Sequence, residues 1–291
     1  MFSEIPAPLF ALAASVIFAI GVQFQHLGLT RVGSRSGAAI SIFSSMVLYW
    51  LVSPWMLDGA HWSHPAVFLF VAIGLFRPAL SANLAVAGMR HLGPTLATTL
   101  SSVSPVFSVA MGVLWLGEAL NWATVLGTAG IIAAVAMLAK RDSKIPVTWP
   151  LWALALPVAA AAVRSIGHVL SKIGMESIPD PYFAGLVGFT VSTMVMLVVQ
   201  KLKPEPQRIR WRSREPYWFV LGGATMGIAL LCLNTALMRG ELVTVIPIVA
   251  TSPVFTMLLS IYVFRKEKLT PRIILAVLVV VPAVILIALN R

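Results

Sequence analysis

Long apolar runs separated by short polar breaks dominate the pattern of this chain. Several runs reach the roughly 20 residues that cross a hydrocarbon core as helix. The short alternating segments of a transmembrane barrel are missing. Turn residues and charges divide the runs into ten predicted helices: Pro8–Thr30, Gly37–Met56, Pro65–Met89, Pro94–Leu116, Trp122–Ala139, Trp149–Ile173, Pro181–Val199, Tyr217–Met238, Val243–Phe264 and Pro271–Leu289. Most breaks between them are short, which favours a compact bundle of antiparallel neighbours. Two stretches, 140–148 and 201–216, are polar enough to form larger loops.

The pattern also occurs twice. Ser104-Pro105-Val106-Phe107 leads through an apolar run to Gly117-Glu118-Ala119-Leu120-Asn121. Ser252-Pro253-Val254-Phe255 leads in the same way to Lys266-Glu267-Lys268-Leu269-Thr270. The offset is 148 at the quartet and 149 at the glutamate. A duplicated block in an apolar chain is the mark of a membrane transporter built from two repeats. The division expected is 1–142 for the first five helices and 148–291 for the second five.

Composition removes the soluble classes. The chain is 59% hydrophobic and 11% charged, with a mean hydropathy of +0.92, against about 25% charged residues in a soluble domain. The start, Met1-Phe2-Ser3-Glu4, has no basic segment before the first apolar run, which reads as a retained helix. A single cysteine, Cys232, leaves no internal disulfide and no cysteine-based metal site. No cofactor is expected.

Net charge is +11, yet nucleic acid is not the partner it indicates. Loops at 31–35, 90, 140–144, 201–214 and 265–272 fall on one face and hold 16 of the 21 Lys and Arg. Lys172, Arg239 and Arg291 make 3 on the other, and Arg77 and Arg164 lie inside helices. Such a bias marks the cytoplasmic face. Both termini are then expected outside, and with five helices per half the two repeats are inverted. The basic loop 201–214 also suits anionic lipid headgroups. Tryptophans near the helix ends read as interface belts.

Ten helices in two such halves, each with a proline-containing fourth helix, a glutamate at its end and an apolar fifth helix, resemble the EamA type of the drug/metabolite transporter superfamily. The stretch from Ser104-Pro105-Val106-Phe107 through Leu116-Gly117-Glu118 carries the resemblance. The second copy departs from it, with Phe264-Arg265-Lys266-Glu267 in place of Leu-Gly-Glu, so the fourth and ninth helices should not end alike. The resemblance implies an all-α integral membrane protein and a secondary carrier, often an exporter of amino acids or other small metabolites. It further implies a central cavity lined by helices 1, 3, 4, 6, 8 and 9.

Ionisable groups inside the membrane are costly and usually face the bundle interior. Arg77, Arg164, His26 and His168 stand out, and all four are candidate substrate-binding residues. Arg164, His168 and Lys172 follow at i, i+4 and i+8 and share one helix face. Lys172 is near enough to a helix end to snorkel. Aligning Leu9-Phe10-Ala11 with Leu151-Trp152-Ala153 sets His26 on His168, at an offset of 142. Those rings are either a relic of duplication or a proton site, since imidazole titrates near neutrality. Arg77 precedes Pro78, where a lost backbone hydrogen bond opens the helix. The cation there either meets substrate or caps freed carbonyls. Asn83 and Asn234 either orient a polar ligand or join helices. Pro105 and Pro253, at equivalent places within the fourth and ninth helices, are candidate hinges or structural kinks.

No Asp or Glu lies deep in any predicted helix. A carrier of cationic drugs needs a buried carboxylate; here the interior charges are basic and suit an anion or zwitterion. The leading expectation is a carrier of a small anionic or zwitterionic metabolite such as an amino acid, working by alternating access as a monomer, with proton coupling left open. A bacterial inner membrane fits this expectation. The alternative is a flippase for a lipid-linked phosphate. An intramembrane enzyme is disfavoured and no catalytic residue is assigned, because nucleophile, base and metal ligands are not gathered.

Overall fold

The computed structural model describes residues 5–28, 32–101, 103–139, 150–202, 213–263 and 270–289. Among them are eleven α-helices: α1 (Ala7–Gly28), α2 (Ser34–Met56), α3 (Val67–Ser101), α4 (Ser104–Leu116), α5 (Trp122–Ala139), α6 (Ala155–Ser177), α7 (Pro181–Leu202), α8 (Glu215–Arg239), α9 (Leu242–Val249), α10 (Ser252–Tyr262) and α11 (Pro271–Leu289). Short 3-10 turns at Gly59–Ser63 and Leu151–Leu154 lead into α3 and α6. Six segments are long and apolar enough to cross a membrane: Ala7–Gly28, Arg35–Met56, Leu151–Ser177, Pro181–Leu202, Glu215–Arg239 and Leu242–Tyr262. Four shorter apolar stretches, beginning at Val67, Ser104, Trp122 and Ile273, accompany them.

Start signals legible in the chain act as the physics of capping requires. The Asp180 carboxylate accepts from the amides of Tyr182 at 2.9 Å and Phe183 at 3.0 Å, closing the exposed donors of α7. The Asn121 side chain accepts from the Thr124 amide at 2.8 Å at the head of α5.

The third and fourth predicted spans are organised differently from the expectation. A break was expected at 90–93, between Met89 and Pro94, but helical backbone runs unbroken from Val67 to Ser101. Its neighbours show that the chain nevertheless turns back there. Phe70 packs at Gly174, Arg77 at Gly167, Gly88 at Pro157 and His91 at Trp152, so this stretch descends antiparallel to α6. Ser104 then stands beside Ser165 and Glu118 beside Lys172, so α4 climbs parallel to α6. Proline's fixed φ is compatible with helical turns, so Pro94 costs one hydrogen bond without forcing extended backbone.

Pro105 and Pro253 do not lie in the middle of continuous helices, and this corrects their expected placement. Each occupies the first turn of its helix, α4 or α10, just after a break in the span. The preceding residues Val103 and Thr251 have matching backbone angles, φ −76 and −74. Proline is favoured at that position because its missing N–H would have no intrahelical partner anyway. The fourth and ninth spans are therefore broken helices, and both breaks come at the same place in the repeated block. Pro54, Pro247 and Pro282 do lie inside helices, as do Pro78 and Pro94 of α3.

Packing partners exchange between the halves. α1 runs antiparallel to α8, with Ala7 at Gly240, Gly21 at Thr225 and Gly28 at Phe219. α3 runs antiparallel to α6 in the same manner. α10 lies parallel to α1, joined by Thr251 to Ser15 at 3.4 Å and by Gln23 to the Thr256 carbonyl at 2.7 Å. α4 lies parallel to α6, as above. Each half thus supplies the partner of the other's first helix, the relation that a pseudo-two-fold axis produces.

α2 is fastened along α8 by a stripe of hydroxyls. Ser41, Ser45 and Tyr49 share a face at i, i+4 and i+8. They donate to the carbonyls of Phe219 at 3.0 Å, Gly223 at 2.7 Å and Gly227 at 3.0 Å. Gly223 and Gly227 form the small-xxx-small spacing that lets membrane helices approach closely.

Gly117 ends α4 in the left-handed region at φ 65, and a Cβ there would meet nothing within 4 Å. The cost of Gly117→Ala is therefore one of backbone alone, about 1 kcal/mol. The expected outcome is a slightly lower melting temperature with the fold retained, measured on purified protein.

Candidate functional site

Arg77 and Arg164 meet where α3 crosses α6. Gly167 makes the approach possible: a Cβ there would stand 2.8 Å from Arg77 Cδ. Arg77 lies within the electrostatic field of Arg164, and His168 within the fields of both. His168 is 8% exposed, and its Nδ1 has no hydrogen-bond partner among the described residues. Neither guanidinium hydrogen-bonds or ion-pairs with any described side chain, so the expectation that Arg77 caps freed carbonyls finds no such bond among the described residues.

The break in the fourth span lies beside this cluster. Ser165, the neighbour of Arg164, donates to the Ser104 carbonyl at 3.1 Å and receives the Ser108 hydroxyl at 2.9 Å. The first turn of α4 is thereby anchored to Ser165, the residue that follows Arg164. An arginine pair is chemically suited to an anion, since each guanidinium presents a fork of donors and a fixed positive charge.

The other candidates separate. His26 is exposed in the last turn of α1 and is not part of the cluster. Asn234 is buried and donates to the Pro181 carbonyl at 3.2 Å, joining α8 to the head of α7. Its Oδ1 has no partner among the described residues. Pro78 and Asn83 lie on α3, but their side chains are outside the described residues. The boundary expected between the halves, at 142–148, is outside them as well.

Lys172 does not snorkel. Its ammonium donates to Glu118 Oε1 at 2.6 Å and to the Gly240 carbonyl at 2.7 Å. The same carboxylate accepts from the amides of Leu242 at 2.7 Å and Val243 at 2.8 Å, the first residues of α9. Glu118 is thus an N-cap supplied from another helix. Sequence reading put Glu118 merely near a helix end. The only signal pointing further was the shared face of Lys172 and the arginines, and it named no partner.

Comparison with known proteins now becomes informative. The EamA-like transporter family model matches residues 5–140 and again 151–289. The chain belongs to the EamA-like transporter family. This EamA-like protein is a multi-pass membrane protein of the drug/metabolite transporter superfamily. A relative from Streptantibioticus cattleyicolor, described as a "Probable terminal-alkyne amino-acid exporter", is 29% identical over 109 residues, 38% of this chain and 33% of that protein. The match spans about a third of the relative's length. A crystal structure at 15% identity superposes with a TM-score of 0.81, covering 96% of this EamA-like chain and 95% of the other. At that identity the likeness shows the fold alone.

Proposed function

We propose that this EamA-like transporter is a secondary carrier that exports a small anionic or zwitterionic metabolite, an amino acid being the leading class, by alternating access. The observation that carries the reading is the arginine pair: two guanidiniums in one crossing of membrane helices, with no acidic partner among the described residues. An unpaired arginine at the centre of a membrane helix costs roughly 3 kcal/mol or more. A ligand carboxylate or phosphate removes that cost, and its oxygens match the guanidinium fork. The relative described as an amino-acid exporter supports the same class. Division into repeats at 1–142 and 148–291, both termini outside and a bacterial inner membrane complete the proposal.

A thermal-shift screen of the purified protein tests it. L-amino acids, dicarboxylates and phosphate esters are compared with alkylamines of similar size. A ligand at 100 times its dissociation constant stabilises the folded state by about 2.7 kcal/mol. The expected result is a rise in melting temperature with at least one carboxylate or phosphate class and none with amines. Stabilisation by amines alone overturns the reading. A response confined to lipid-linked phosphates would identify a flippase instead.

A further inference from the structure

We infer that Glu118 and Lys172 form the latch that closes one end of the carrier. The inference rests on the carrier reading and is independent of which anion is carried.

Three features distinguish the pair from an incidental ion pair. The first is the number of elements it ties together. Glu118, from the first half of the chain, holds Lys172 on α6, and its two oxygens cap α9; Lys172 in turn holds the Gly240 carbonyl between α8 and α9. Every one of those partners belongs to the second half. A carrier that opens by moving one half against the other must break the three bonds of Glu118 together, while the Lys172–Gly240 bond stays within the second half. The second is burial. Side-chain exposure is 16% for Lys172 and 6% for Glu118. A buried pair that loses one member leaves an uncompensated charge, so the closed end is strongly disfavoured without it.

The third is position. Lys172 stands eight residues beyond Arg164 on the same face of α6, ~12 Å further along the helix. The latch therefore sits directly above the arginine crossing. In the proposed topology this is the outer end of the bundle. The Glu118 carboxylate also folds back over α4, its Oε2 lying 2.7 Å from where a Cβ on Gly112 would stand. Any larger residue at 112 would push it away from α9.

In sequence, the residue types of the latch are only partly repeated: Glu118 falls on Glu267, but its partners fall on other residue types. The 148-residue offset pairs Leu242 with Pro94 and Val243 with Thr95. Proline has no amide hydrogen, so one of the two caps cannot form. The 142-residue offset pairs Lys172 with Thr30, which carries no charge. Gly117, whose left-handed turn presents Glu118, pairs with Lys266 at the 149-residue offset. A latch at this end biases the resting carrier toward the state closed there.

Thiol labelling from each side of the membrane tests the idea. Cys232→Ser removes the native thiol, and Met111→Cys on α4, beside Gly112, is the reporter. An impermeant maleimide is applied to right-side-out and inside-out vesicles, with no transport substrate present. With the latch intact, the reporter is protected from the latch side. Glu118→Gln and Lys172→Met should each raise labelling from that side by roughly tenfold. Lys172→Met leaves the α9 cap in place, so it remains a test if Glu118→Gln does not fold. Hydrogen exchange adds a local readout: amides of α9 should exchange faster in Glu118→Gln, while those along the α1–α8 contact should not. If folded Lys172→Met protein labels like its parent in both vesicle orientations, no latch exists at this end. Because no ligand is used, that failure is separate from failure of the anion-site reading.

Discussion

Replacing Arg164 with alanine should abolish ligand stabilisation while leaving a folded protein in the membrane. The side chain sits at the α3–α6 crossing within the field of Arg77 and makes no ion pair among the described residues, so few protein bonds are lost with it. What is lost is half of the charge available to an anion. A hydrogen bond to a charged group contributes about 1.5–3 kcal/mol, and a bidentate pair supplies two. Affinity for the responding carboxylate or phosphate should therefore fall at least ~100-fold. Arg164→Lys should recover part of it, because an ammonium keeps the charge but not the planar fork. Isothermal titration or melting temperature against ligand concentration measures both. A folded Arg164→Ala protein with wild-type affinity would show Arg164 to be structural, its charge satisfied by water or helix carbonyls.

Gly223→Ala should be the most damaging single-methyl substitution in the α2–α8 contact. A Cβ at 223 would lie 2.1 Å from the Ser41 carbonyl oxygen and 2.7 Å from its Cα. Both are backbone atoms, so no side chain can rotate away. The helices must separate, and the bonds from Ser45 to the Gly223 carbonyl and from Tyr49 to the Gly227 carbonyl must stretch with them. Overpacking costs about 1–3 kcal/mol, and the strained hydroxyl bonds add about 1 kcal/mol each. The expected result is low yield of monodisperse protein or a melting temperature lowered by many degrees. Gly227→Ala is the control. Its nearest neighbours are side-chain atoms at 3.3 Å or more, which can give way. Equal losses at the two positions would mean that close approach at Ser41 is not what Gly223 provides.

The apolar runs by themselves determined the class of protein, the number of spans and their approximate ends, because only a helix satisfies its own backbone inside a bilayer. The repeated Ser-Pro-Val-Phe block revealed the duplication. The same reading found the arginines, since a charge in an apolar run is visible without coordinates. What it could not give was which of these charges meet. Arg77 and Arg164 are 87 positions apart in sequence, and only the crossing of α3 with α6 at Gly167 brings them together.

His26 and His168 look equivalent in the alignment, yet one is exposed at the end of α1 and the other is buried between two cations. Equivalent helices surround the two positions, but the side chains have diverged: at the 142-residue offset Arg164 falls on Val22, so the charges around His168 are not repeated around His26. Lys172 looked like a residue bound for the interface. Its partner, Glu118, is 54 residues away, and the amides of Leu242 and Val243 that complete the set are backbone groups, which leave no trace in a sequence. The sequence therefore determined which charges enter the membrane. Tertiary structure decided which of them are neutralised, because pairing depends on contacts between helices that are remote along the chain.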